Sequence, residues 1–274
     1  MLLTFSQEDA LKWAAFSGDH NPIHFDAERA KALGMDSMTV HGMRAMHDMK
    51  NHLHNMLSSS VSTGEHYRFC VRLRQSVKYH VPHKILASCN TNNGNVSGQL
   101  INTLTDEPCF SATLSSVSAR PSSKMALMQC ISGQEYRALY QQFSSGLNEQ
   151  NCQWVFEDAL LFRCLMQSTD VLSTLANVLP EMKAMTLHEM FEQLPVVQTH
   201  HEVHFSDALR HFLAPAAGYS QAFRYDFQPP LVLGDRENGF IIRLGCQGGG
   251  DPENLLTTSI TLKTWPVVPS TIFE

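Results

Sequence analysis

HYRFCVRLRQSVKYHV (66–81), KILASCNTN (84–92), GQLINTL (98–104) and CFSATLSSVS (109–118) follow one another, each alternating apolar with polar residues. Pro82, Asn92-Asn93-Gly94 and Asp106-Glu107-Pro108 separate the runs. Period-two alternation punctuated by turn residues predicts consecutive antiparallel strands, each with one face on a core. The local element able to fill that core is the helix predicted from about Gly42 to Leu57. The first half therefore reads as a sheet wrapped on one long helix, an α+β arrangement. Further upstream, Ser6 with Asp9 three residues later caps the helix EDALKWAAF, and Asp26 caps a short AERAKAL helix that Gly34 ends.

The order of helix then sheet recurs downstream. ARPSSK (119–124) is a compact polar break, taken as the boundary between units 1–124 and 125–274. Beyond it a long apolar helix is predicted over Val155–Leu179, stopped by Pro180. Strands are predicted near Val196–Phe205, Tyr219–Phe227, Gly239–Gly245 and Leu255–Thr264. A local echo supports a repeat: Val77-Lys78-Tyr79-His80-Val81-Pro82 and Phe223-Arg224-Tyr225-Asp226-Phe227 with Pro229 share apolar, basic, Tyr, polar, apolar and a nearby proline.

Composition narrows the function classes. The chain has 274 residues, 43% of them hydrophobic and 17% charged. No apolar run approaches the roughly 18 residues needed to cross a bilayer. A soluble globular protein is expected, with no membrane partner and no export signal in MLLTFSQEDALKW. A net charge of −6 and scattered basic residues, apart from Arg68, Arg72 and Arg74, argue against nucleic acid. Seven widely spaced cysteines without a C-x-x-C pair argue against a disulfide framework and a zinc ribbon, and fit a reducing cytoplasm.

Between Phe16 and Ala30 the chain reads FSGDHNPIHFDAERA. Gly18 and Pro22 both resist a regular helix, so Asp19 and His24 lie on a sharply bent segment where they can converge. A carboxylate that only accepts, beside an imidazole that donates at one nitrogen and accepts at the other, can hold a water and move its proton. The alternative is a turn in which Asp19 caps and His24 satisfies a local carbonyl. Asn21 before Pro22 is equally a turn former and a site residue.

This segment, with His41-Gly42-Met43 after it, resembles the MaoC-like (R)-specific enoyl-CoA hydratase and 3-hydroxyacyl dehydratase family. The resemblance is detailed over about residues 1–50 and implies a hotdog fold, here two hotdog units in one chain. It further implies a hydro-lyase of fatty-acid or polyketide-type metabolism acting on acyl-CoA or acyl carrier protein thioesters, with no cofactor and no metal. Carried over by position, Asp19 and His24 match the catalytic pair and Asn21 the polar residue between them. Gly42 matches the glycine opening the hotdog helix, where the Gly42 and Met43 backbone N–H groups are suited to a thioester oxyanion. Asp19 is expected ionised and His24 largely neutral. The second half has no copy of SGDHNPIH, which implies one site per chain, with the second unit a structural mate and a wall for the acyl pocket. A non-catalytic acyl-thioester scaffold and one subunit of a heteromeric dehydratase are the competing readings. A homodimer and a pseudo-dimeric monomer are both open.

Other features carry less. His41 is read as packing or capping and stays outside the catalytic set. The run His200-His201-Glu202-Val203-His204 is one residue short of H-E-x-x-H between its last two histidines, and on a strand it would split between two faces. Met35, Met38, Met43, Met46, Met49 and Met56 partly follow helical spacing and read as core or pocket lining. Gly248-Gly249-Gly250 lacks a following lysine and so is not a phosphate loop, and Asp251-Pro252 reads as a hairpin turn.

Overall fold

Alternation in residues 66–118 becomes four strands in the computed structural model, which describes residues 1–32, 34–58, 65–118, 127–145, 147, 151–173, 184, 186–211, 222–251 and 253–266. The first half runs β1 (Leu2–Leu3), α1 (Gln7–Ser17), α2 (Ala27–Ala32), α3 (Gly42–Ser58), β2 (His66–Leu73), β3 (His83–Cys89), β4 (Val96–Asn102) and β5 (Pro108–Val117). The second runs β6 (Gln129–Ile131), α4 (Gly133–Ser145), α5 (Gln153–Gln167), α6 (Leu187–Gln193), β7 (Val196–Ser206), β8 (Phe223–Asp235), β9 (Gly239–Gly249) and β10 (Leu256–Thr264). The ten strands among the described residues form one antiparallel sheet, in which β2 pairs with β7 along a central seam. Outward from the seam the order is β5, β4, β3, β1 on one side and β10, β9, β8, β6 on the other. The two halves therefore repeat one plan, an antiparallel sheet on a central helix: a hotdog, built twice.

The echo found in the sequence falls at matching places. Val77–Pro82 leads into β3, and Phe223–Pro229 opens β8. Pro229 sits where the β8–β9 register shifts between Gln228 and Leu231, a position that tolerates a residue without an N–H. The halves differ between their first and central helices. Residues 18–41 join α1 to α3, whereas only residues 146–152 join α4 to α5.

α3 packs on β3, β4 and β5, and α5 on β9 and β10. Met46, Met49, Leu53 and Leu57 form the fully buried stripe of α3 at helical spacing. The two central helices also touch each other, and there the core turns polar. Lys50 Nζ of α3 and the Thr258 hydroxyl both donate to Asp158 of α5. His201 Nε2 of β7 lies 3.0 Å from each Asp158 oxygen. Burial alone would raise the Asp158 carboxyl, but His201 and Lys50 hold it below the usual carboxylate range. Alongside, Trp154 stacks on Phe205 at 4.5 Å and its indole N–H donates to His54 Nδ1 at 3.3 Å.

Several elements end elsewhere than the sequence predicts. β2 stops at Leu73, because the Arg74 and Gln75 N–H groups turn to the Cys109 carbonyl at 2.8 and 3.2 Å. α5 stops at Gln167: Ser168 is extended, and its hydroxyl accepts the Asp170 N–H at 3.2 Å, a local bond that competes with the helix. Positions 174–179 of that predicted helix and the ARPSSK break lie outside the described residues. Gly248 and Gly249 belong to β9; a Cβ on Gly248 would meet the Tyr225 Cβ at 2.8 Å. Among the described residues no helix is long and apolar enough to cross a membrane.

Candidate active site

The bend at Asp19 is built by short-range bonds. α1 starts with a reciprocal box, in which Ser6 Oγ accepts the Asp9 N–H and Asp9 Oδ2 accepts the Ser6 N–H. It ends at Gly18, whose φ of 75° lets the chain reverse while its N–H still reaches the Ala14 carbonyl at 2.8 Å. The Ser17 hydroxyl then accepts the Asp19 N–H, Asp19 Oδ1 accepts the Asn21 N–H at 3.2 Å, and Asn21 Oδ1 accepts the Ile23 N–H at 3.2 Å. Pro22 opens the 3-10 turn Pro22–His24 that this cap starts. Asn21 thus shapes the turn, while also lining the cavity described below.

Asp19, His24 and His41 each place one ligand-type atom within 4.8 Å of the others, and all three side chains are buried. His24 Nδ1 lies 2.6 Å from the Thr39 carbonyl. A carbonyl only accepts, so Nδ1 carries the proton and Nε2 of the neutral ring keeps its lone pair. Thr39 is fixed by its own N–H bond to the Ile23 carbonyl at 3.1 Å and by a bridge to Lys78. The Tyr79 hydroxyl donates to the His24 carbonyl at 3.2 Å. Burial lowers His24, with Asp19 opposing, and burial raises Asp19, with His24 opposing. Both shifts favour the neutral forms, so His24 is a free base at neutral pH.

His41, set aside on sequence grounds, lies in this group. Its ring stacks on His24 with centroids 3.7 Å apart, and its Nε2–H donates to the Asp19 main-chain carbonyl at 2.9 Å. The sequence signal was its place directly before Gly42, but that position alone does not distinguish a helix-start residue from a site residue.

A cavity of about 320 Å³ opens from Asp19 and His24. Gly42 and Met43, at the start of α3, line it, and the first N–H groups of a helix have no partner within the helix. Leu73, Val77 and Phe110 form an apolar wall from the first half. Phe162, Phe191, Val196, Gln198 and Leu262 form the facing wall from the second half, and Arg74 and Trp265 also border the cavity. Individual wall residues from the second half were not identified from sequence.

The histidine runs are engaged otherwise. On β7, His201 faces inward to Asp158, whereas His204 lies 2.6 Å from Glu202 and His200 is exposed. His47 Nε2 lies 3.1 Å from Asn51 Nδ2. Asp19, His24 and His41 are the one set among the described residues with metal-ligand spacing, but His24 Nδ1 and His41 Nε2 already donate to carbonyls. Of the three arginines noted earlier, Arg68 is paired with Glu202 at 2.8 Å, and Arg74 Nε donates to the Ser111 hydroxyl at 3.3 Å.

Fold and site together define a hotdog protein with a buried carboxylate and imidazole at the head of an apolar cavity. Residues 2–81 match the family model described as "MaoC like domain". It is similar to the mitochondrial 3-hydroxyacyl-[acyl-carrier-protein] dehydratase of Arabidopsis thaliana, 49% identical over 39 residues. That alignment covers 14% of this chain and 24% of the relative, about a quarter of the relative's length. Among solved structures, a MaoC-like dehydratase aligns over 96% of this chain and 95% of its own, at 12% identity and a TM-score of 0.48. An (R)-hydratase from A. caviae aligns over 43% of this chain and 92% of its own, at 15% identity and a TM-score of 0.33.

Proposed function

We propose that the chain is a hydro-lyase that interconverts a trans-2-enoyl thioester and its (R)-3-hydroxyacyl partner, carried on CoA or acyl carrier protein. Residues 1–124 form the catalytic hotdog in this reading, and 125–274 its mate, so the chain is a pseudo-dimeric monomer with one site. The observation that carries it is the neutral His24, with Nδ1 held by the Thr39 carbonyl, beside Asp19 at an apolar cavity that begins at a helix start. A water held between Asp19 and His24 gives a proton to His24 Nε2 as its oxygen bonds to C3. The C2–C3 π pair moves toward the thioester carbonyl, where the Gly42 and Met43 N–H groups receive the developing charge. A proton returned from the pair to C2 completes the addition, and dehydration is the reverse. Asn21 supports the pair by holding the bend. The apolar walls from both halves suit an acyl chain, and all seven thiols are unpaired, in keeping with a reducing compartment such as the cytoplasm.

The test is hydration of crotonyl-CoA, a longer enoyl-CoA and an enoyl acyl carrier protein by purified protein, followed by loss of enoyl absorbance. Asp19→Asn and His24→Ala are expected to lower the rate by about 10²- to 10⁴-fold while the fold persists. No turnover of any of the three by the wild type sinks the proposal.

A further inference from the structure

His41 does not border the cavity, yet both members of the proposed pair lean on it. We propose that His41 is a positioning residue, which holds Asp19 through its main-chain carbonyl and His24 through its ring face; this rests on the hydration reading above. Three features of the site carry it. The side chain is 0% exposed, so its contacts are confined to its neighbours. Its Nε2–H is committed to the Asp19 carbonyl, and its Nδ1 is buried with no hydrogen-bond partner. Its ring lies 3.7 Å from the His24 ring, tilted by 30°, and is closed on another side by Phe25 at 5.6 Å.

A buried acceptor left without a partner is costly, and a leucine or methionine would fill the same space without that cost. Neither could donate to the Asp19 carbonyl, so the hydrogen bond is what the imidazole adds. That bond fixes the backbone at the point where the chain leaves α1 and sets where the Asp19 carboxylate sits. The ring face does a second job. When His24 accepts the water proton it becomes a cation, and a neutral aromatic face stacked against it can accommodate that charge. A charged His41 would instead repel it, and burial keeps His41 well below the ordinary imidazole value.

The two jobs separate by substitution. His41→Phe keeps a ring face and loses the donor, whereas His41→Gln keeps a donor near the Nε2 position and loses the ring. For folded His41→Phe, kcat is expected to fall about 10²-fold with KM within twofold of wild type, the penalty of a misplaced reacting group. His41→Gln is expected to recover part of that loss and to move the acid limb of the pH profile. Wild-type kcat and an unmoved acid limb in both folded variants would overturn the proposal. Imidazole ¹⁵N spectra report the same geometry without turnover. Wild type should show His41 neutral with the proton on Nε2 and His24 as a single Nδ1–H tautomer; His41→Gln, which removes the ring face, should shift the His24 resonances, whereas His41→Phe should leave them close to wild type. Identical His24 spectra in all three proteins, or a His41 proton on Nδ1, also overturn it. Expected spectra with no wild-type turnover would count against the hydration reading and leave the positioning intact.

Discussion

Gly42→Ala probes the start of α3 more sharply than any substitution of the acid or the base. An ideal Cβ at Gly42 falls 2.8 Å from Leu73 Cδ2 and 3.6 Å from Gln198 Oε1. Both neighbours line the cavity, so the added methyl would project into the space beside the first helical N–H groups. The Leu73 contact is with the end of a movable side chain, and relieving it costs about 0.5–1.5 kcal/mol in an off-rotamer torsion. Replacing glycine in a helix offsets this by at most about 1 kcal/mol. The two nearly cancel, so urea denaturation should place the variant within about 1 kcal/mol of wild type. Activity should not be spared: displacing a carbonyl from an oxyanion donor costs about 10²- to 10³-fold in kcat. Initial rates of enoyl-thioester hydration would measure it. Adding Leu73→Ala removes the clash but keeps the methyl, so it should not restore the rate. A folded Gly42→Ala with wild-type kcat/KM would refute the assignment of the Gly42 N–H to the thioester oxygen.

His24 is lowered by burial, so its base form persists to a pH below its ordinary 6.5, and the acid limb of kcat/KM should lie below that value. A limb at or above 6.5 would remove His24 as the base. Lys50→Met should cost about 3–5 kcal/mol in urea, because Asp158 keeps its burial and loses a cation. Since the folded Asp158 value lies below its unfolded one, the pair's contribution should be full above about pH 4 and fade as pH falls further, with the gap between variant and wild type narrowing; a gap independent of acid pH argues against it. Glu157, fully buried against Tyr136 and Gln153, is pushed up to about 7 by burial. The native state therefore retains a proton the unfolded chain has lost, and stability should fall as pH rises from about 4.5 to 7. Glu157→Gln should erase that slope, a relative gain approaching about 3 kcal/mol at pH 8; parallel curves for both proteins would contradict it.

Strand alternation in 66–118 and the capped bend at Asp19 were legible because each rests on contacts within a few residues. The pairing of β2 with β7 was not, since nothing in His66–Leu73 states that its second edge meets residues 200–206. The same gap hid the identities of the far cavity wall: Phe162 lies in an apolar helix and Leu262 in an alternating strand, and only the assembled fold brings them to the cavity that Asp19 lines. His41 escaped for a different reason, because its partners are a main-chain carbonyl and a ring face, neither of which leaves a mark in residue identity. The end of α5 at Gln167 was obscured by the apolar run continuing past Ser168, where a serine hydroxyl bond overrides the pattern.

The seam also sets an order of events during synthesis. Phe69 meets Val203 and Val71 meets His201, pairings between residues far apart in the chain, and the cavity includes Phe191 and, from a still later segment, Leu262. Long-range strand pairing forms slowly, and until the late segments emerge β2 presents an open edge. An N-terminal fragment would hold the acid and the base but no closed chamber around them. Competence should therefore appear all at once when the last strands dock, and β2 marks the surface a chaperone would need to shield in the interval.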